Sequence, residues 1–261
     1  MANFIRPTKS GSDWTLNDLD SYHISLDQVD TLLFFGLQEL PQLAVDPELP
    51  ANADADAMQQ DSHAELITYL DFAMITEKGE TAVGDFVVEL FKTWGYVHRE
   101  RVARTRVDLS LLICGENRYA KADVCIVDRS QNDILLLVQV DKRLEHGEPV
   151  NARAQLVAAA AAAFNEKNAQ REVVGLPPVE ETVIPGIVMV GTSPVFFKIS
   201  VTRTLSAHIC HGTYPPEETR VTYGYPPVPR PARRRSEGMK PLDNRREILK
   251  CYEAFRVIAG I

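Results

Sequence analysis

Ala122-Asp123-Val124-Cys125-Ile126-Val127-Asp128 and, after a polar turn, Ile134-Leu135-Leu136-Leu137-Val138-Gln139-Val140-Asp141-Lys142 decide how this chain is read. Both runs are rich in β-branched and aliphatic residues and are bounded by turn formers, which predicts two consecutive strands. The first carries an acid in mid-strand. The second is apolar until it ends in polar residues and a lysine. Residues two apart on a strand face the same side. Val140 and Lys142 therefore share one face, and Gln139 and Asp141 share the other.

Working outward, Val107 to Cys114 predicts a preceding strand, and Gly115-Glu116-Asn117 a turn into Arg118–Asp128. Ser130 to Asp133 is the next turn. Such short connections imply an antiparallel three-strand meander, with the third strand buried on both faces. Upstream, Thr81 to Trp94 is a helix with the stripe Phe86, Val87, Leu90, Phe91 and Trp94, ended by Gly95; Glu89 lies close to that stripe. An earlier helix is expected from a capping box at Ser62 and Glu65, continued by Leu66, Leu70, Ala73 and Met74. Downstream, Val150 to Asn168 is a long helix whose centre, Val157 to Ala163, carries small side chains. It could lie very close to a sheet, although strong helix propensity alone explains the composition. Val183–Val190 and Val195–Val201 are two more strands.

The flanks are read as additions. Residues 1–60 form an N-terminal extension, with a short helix at Val29–Gly36 and an exposed, acidic, mobile linker from Pro41 to Asp61. Residues 61–212 form the core. Residues 213–240 are a Pro/Arg-rich linker, and 241–261 a C-terminal helix with Ile248, Leu249, Tyr252, Phe255 and Ile258 on one face.

The chain has 261 residues, 45% of them hydrophobic, and a net charge of −8. The length is ample for a sizeable core. The charge opposes non-specific adhesion to nucleic acid, though local basic patches can still bind phosphates. No run of about 18 apolar residues is present, which argues against a membrane span. The N-terminus lacks a signal core. Cys114, Cys125, Cys210 and Cys251 are widely spaced and read as reduced thiols, so a cytoplasmic or nuclear location is expected.

The order helix, three-strand meander, helix, strand, together with Asp123 and Lys142, resembles the core of the PD-(D/E)XK nuclease-like superfamily over residues 81–201. The resemblance implies an α/β protein with a restriction-endonuclease-like core: helix, three-strand antiparallel meander, helix and further strands, with helical N- and C-terminal additions. It implies metal-dependent phosphodiester hydrolysis of DNA or RNA. Asp123 matches the first metal-binding acid, and Lys142 the lysine that orients or activates water. Val140 stands where the family places its second acid, and valine cannot ligate a metal. Asp141, one place on, or Glu89 on the first helix would assist in holding Mg²⁺ or Mn²⁺. Gln155 would match a polar residue that some relatives carry on the helix after the meander. Magnesium is held by hard oxygen ligands, usually one or two carboxylates plus waters.

Three readings stand beside one another. A bulged strand end brings Asp141 to the metal and the protein is an enzyme; the site is degenerate and the scaffold is kept as a binding or structural domain; or Asp123 and Lys142 are merely a buried ion pair or strand-end charges. Loss of a ligand carboxylate points toward impaired or absent metal catalysis. Arg99, Arg101, Arg104 and Arg106 are candidates for phosphate contacts. Strand alternation would pair Arg99 with Arg101 and Arg104 with Arg106, so they are not one stripe, and a solvated, charge-protected sheet edge is the favoured alternative. The Pro/Arg-rich segment is a candidate protein-binding element. His208-Ile209-Cys210-His211 lacks a second cluster with zinc spacing. Phosphate-loop, dinucleotide and nucleophile-elbow motifs do not occur.

Overall fold

The computed structural model describes residues 7–43, 47–75, 79–141 and 150–261. It is an α/β protein built on one seven-stranded mixed sheet. The strands are β1 (Ile24–Gln28), β2 (Arg101–Ile113), β3 (Glu116–Asp128), β4 (Ile134–Asp141), β5 (Glu181–Val190), β6 (Ser193–Thr202) and β7 (Thr219–Gly224), in spatial order β1-β7-β6-β5-β4-β3-β2. β2, β3 and β4 form the expected antiparallel meander, β4 runs parallel to β5, and β5, β6 and β7 continue antiparallel.

The helices are α1 (Leu16–Ser21), α2 (Thr31–Phe35), α3 (Glu48–Ala51), α4 (Asp61–Ala73), α5 (Gly79–Thr93), α6 (Val150–Val173), α7 (Arg203–His211), α8 (Arg234–Glu237) and α9 (Leu242–Ala259). They cover both sheet faces. One apolar cluster joins Trp14, Leu19 and Tyr22 with α6, α7 and one set of strand side chains. The other joins α4, α5 and α9 with the opposite set, including Val124, Val138 and Val140. The parallel β4–β5 pair needs a crossover between its strands, and α6 supplies it. Its buried alanines let neighbours come close: a Cβ on Gly11 would meet Ala120 Cβ at 2.5 Å and Ala158 Cβ at 3.2 Å.

Several expectations are corrected. The Pro/Arg-rich stretch is no free linker, because it contributes β7, which lies between β6 and β1. Its arginines are engaged: Arg230 binds Glu237 and Asp243, and Arg234 stacks on Tyr225 at 3.7 Å. The N-terminal extension likewise supplies β1, parallel to β7. In the acidic stretch before α4, Leu49 is buried, and the carbonyls of Leu49 and Asn52 accept from Arg245 at 3.1 and 2.7 Å. That guanidinium is almost wholly buried, and burial pulls its pKa down to about 10. A buried cation must be satisfied, and here backbone carbonyls do so. α4 begins at Asp61 after Gln60, without a side-chain cap, so Ser62 is inside the helix. Gly36 does end α2 in the left-handed region, as expected. β2 starts six residues earlier than the apolar pattern indicated, at Arg101. Among the described residues no helix is long and apolar enough to cross a membrane.

Candidate functional site at the β3–β4 fork

Asp123 sits where two strands change face. Ala122 packs in the α6 cluster, whereas Val124, only two residues on, packs against α5 and α9. β2 does the same: Ala103 lies with the α5 side and Val107 with the α6 side. Regular alternation would keep each pair together. Thr105 pairs with Val124 and Val107 with Ala122, which puts Arg106 opposite Asp123 at the switch. Arg106 has φ +53°, a left-handed conformation uncommon for a non-glycine residue.

β3 and β4 also part at this point. Their regular pairing reaches Val124 opposite Val138. Beyond it, Val140 N donates to Asp123 Oδ2 at 2.8 Å, and Gln139 Nε2 donates to the same oxygen at 2.7 Å. The carboxylate thus replaces a ladder carbonyl and holds the fork together. Asp123 is 8% exposed and Gln139 7%. Gln139 Oε1 is buried without a hydrogen-bond partner.

A hollow of about 370 Å³ opens between this fork and α5, lined by Thr81, Gly84, Asp85, Thr105, Arg106 and Asp123. Two of these residues extend the expected site. Asp85 lies one turn before Glu89, and the i, i+4 spacing on one helix face was the signal that could have found it. Arg106 belongs to the arginine series, but its left-handed backbone separates it from Arg104. Arg104 pairs in register with Cys125, on the α6 side, so the expected pairing of Arg104 with Arg106 does not hold.

The remaining expected residues are dispersed. Lys142 lies outside the described residues. Val140 is 2% exposed and packs in the α5–α9 cluster. Asp141 pairs in register with Val190, and alternation puts it on the Gln139 side of β4. Glu89 is buried, binds Lys92 at 3.1 Å, and does not line the hollow. Arg99 is exposed ahead of β2. Arg101 bonds its Nε to His98 Nε2 at 2.7 Å, and burial lowers its pKa. Gln155 donates to Ser12 O at 2.5 Å, tying α6 to the N-terminal turn instead of to the fork.

The donor set falls short of the metal site the resemblance implies. Among the described residues, no three His, Cys, Asp or Glu side chains come together as a metal-holding group. One oxygen of Asp123 already serves two donors, and Val140, where the resemblance would require a second acid, is an apolar core residue. No family model and no curated protein matches this chain.

Proposed function

We propose that this chain is a nucleic-acid-binding domain on a restriction-endonuclease-like scaffold whose metal-dependent phosphodiester hydrolysis is impaired. The succession α5, β2–β4, α6, β5 supports the scaffold, and the acid at the fork supports the ancestry. The observation that carries the impairment is Val140, sealed in the apolar cluster where a second acid would be needed. Asp123 has become a structural acceptor. Arg106, which makes no ion pair or hydrogen bond among the described residues and faces the hollow, is the phosphate contact. The net charge of −8 confines binding to such local cations.

The test is incubation with plasmid DNA and structured RNA in Mg²⁺ or Mn²⁺. The wild type is expected to bind without efficient cleavage. Val140→Glu is expected to gain metal-dependent cleavage, lost again when Asp123→Ala is added. Wild-type cleavage abolished by Asp123→Ala would show a working enzyme instead. Absence of nucleic-acid binding, with no metal uptake by Val140→Glu in calorimetry, removes the proposal altogether.

A further inference from the structure

Cys114 and Gly115 form a two-residue turn with φ of +50° and +79°, and it closes β2 onto β3 with Ile113 opposite Glu116. In such hairpins the closing pair exchanges both hydrogen bonds, and bonded and non-bonded pairs then alternate. Ile113, Leu111 and Leu109 therefore direct their main-chain groups to β3. Leu112, Ser110 and Asp108 direct theirs outward. Cys114, next in the outward series, donates its N–H to Ile209 O at 3.1 Å, as this phase requires. β2 is the last strand of the sheet, and among the described residues no backbone partner reaches Asp108, Ser110 or Leu112 from outside.

A groove of about 700 Å³ runs beside this edge, its far wall formed by α6 and α7. Phe164, Ala169 and Leu112 give it apolar surface. Asp108, Glu166 and Glu172 also line it; none is in a salt bridge among the described residues, and Glu172 acts at longer range on the charge of Arg203. The groove's arginine, Arg203, is already paired with Glu180 at 2.8 Å. Unpaired strand edges are templates for another chain, and proteins defend them with charge. The other half of β2 is so defended, by Arg101, Arg104 and Arg106.

We propose that the outer edge of β2 from Asp108 to Leu112 receives an extended, lysine- or arginine-bearing segment of a partner polypeptide as an eighth strand. The outward main-chain groups require an extended polypeptide as occupant. The three carboxylates select basic side chains, in keeping with the acidic chain as a whole. The arginines of the first half repel that same segment and limit it to the second half. This surface is separate from the fork, and the proposal does not rest on nucleic-acid binding.

The test uses a fluorescein-labelled Lys-Val-Lys-Val-Lys-Val peptide, a Glu-Val counterpart, and the full chain. Anisotropy should show saturable, salt-sensitive binding of the lysine peptide and none of the glutamate peptide. Hydrogen exchange at the Asp108, Ser110 and Leu112 amides should slow when the lysine peptide is added. Ser110→Pro removes an outward donor where edge strands tolerate proline, and should weaken binding about tenfold with circular dichroism unchanged. Glu166→Gln with Glu172→Gln should weaken it several-fold and flatten its salt dependence, and this pair decides the matter should the proline variant not fold. Failure of the lysine peptide to saturate, equal binding of the glutamate peptide, or unchanged amide exchange would overturn the proposal. So would wild-type self-association that Ser110→Pro abolishes, since the occupant would then be a second copy.

Discussion

The β2–β3 hairpin has two polar regions, and they are organised in opposite senses. At the fork, Asp123 turns inward and its carboxylate accepts from Gln139 Nε2 and the Val140 amide. Towards the tip, Asp108, Ser110 and Leu112 turn their backbone groups outward, where no described element meets them. The same pair of strands thus seals its most conspicuous acid into the structure and leaves an inconspicuous edge open. A residue's chemical prominence in sequence is a poor guide to its availability; the hydrogen-bond inventory decides that.

Asp123→Ala breaks this contrast most severely. It leaves two buried donors without an acceptor, each worth about 1–3 kcal/mol, so urea unfolding should show a loss of roughly 2–6 kcal/mol. Ser110→Ala, at the open edge, should stay within about 0.5 kcal/mol of the wild type. A loss below about 1 kcal/mol for Asp123→Ala would mean that the carboxylate does not hold the fork. Val140→Glu comes next. It exchanges buried aliphatic surface for a carboxyl group in an apolar cluster, and metal-free protein should lose about 3 kcal/mol. Millimolar Mg²⁺ should return part of that loss through binding to the folded state. Recovery by Mg²⁺ that persists when Asp123 is also replaced would place the metal elsewhere.

These contrasts mark what could be read in advance. The meander, the long helix α6 and the strands β5 and β6 were legible because period-2 and period-3.6 patterns are strong over long, buried segments. β1 and β7 were not. They are 5 and 6 residues long, and β7 is embedded among prolines. Their identity comes from pairing with each other and with β6, a long-range property that no local window contains. Asp123 was found because an acid inside an apolar run is locally anomalous. The face switch that accommodates it was hidden, since nothing in Thr105-Arg106-Val107 announces a left-handed arginine. Regular alternation therefore groups Arg106 with Arg104, and the left-handed backbone separates them. The acidic stretch before α4 resembled a linker because its anchor, Arg245, lies nearly two hundred residues away in α9.

The cysteines sharpen the comparison at smaller cost. Cys125, on β3 beside the fork, is buried, and burial pushes its thiol up to about 11. Burial also raises Cys251, Tyr96 and Tyr252. A group whose pKa is raised by folding contributes stability that is complete below its unfolded value and disappears as pH rises through the folded one. The Cys125 contribution, about 3 kcal/mol, should therefore be lost between about pH 9 and 11. Cys125→Ala should reduce the steepness of alkaline destabilisation there. Cys114 and Cys210, at the tip and in the groove, are half-buried and should react with a thiol reagent in the native state, leaving Cys125 and Cys251 unmodified until unfolding. Bulky modification of Cys210 should also obstruct the lysine peptide. Early labelling of Cys125 would contradict the sealed fork.

The smallest effect separates strain from function at the switch itself. Arg106 holds φ +53° opposite Asp123, and the left-handed region costs a non-glycine residue roughly 1–2 kcal/mol. Glycine removes that cost but gains conformational freedom in the unfolded chain, worth roughly 0.5–1 kcal/mol against it. Arg106→Gly should therefore raise stability by about 0.5 kcal/mol, a small upward shift in the melting temperature. If the guanidinium serves only the sheet, nothing else changes. If it is the phosphate contact, the stabler protein binds nucleic acid more weakly, and the slope of log affinity against log salt falls by about one unit. A stabilised variant with undiminished binding would assign Arg106 to the fold alone, whereas a destabilised one would show that the left-handed turn depends on contacts of the arginine side chain.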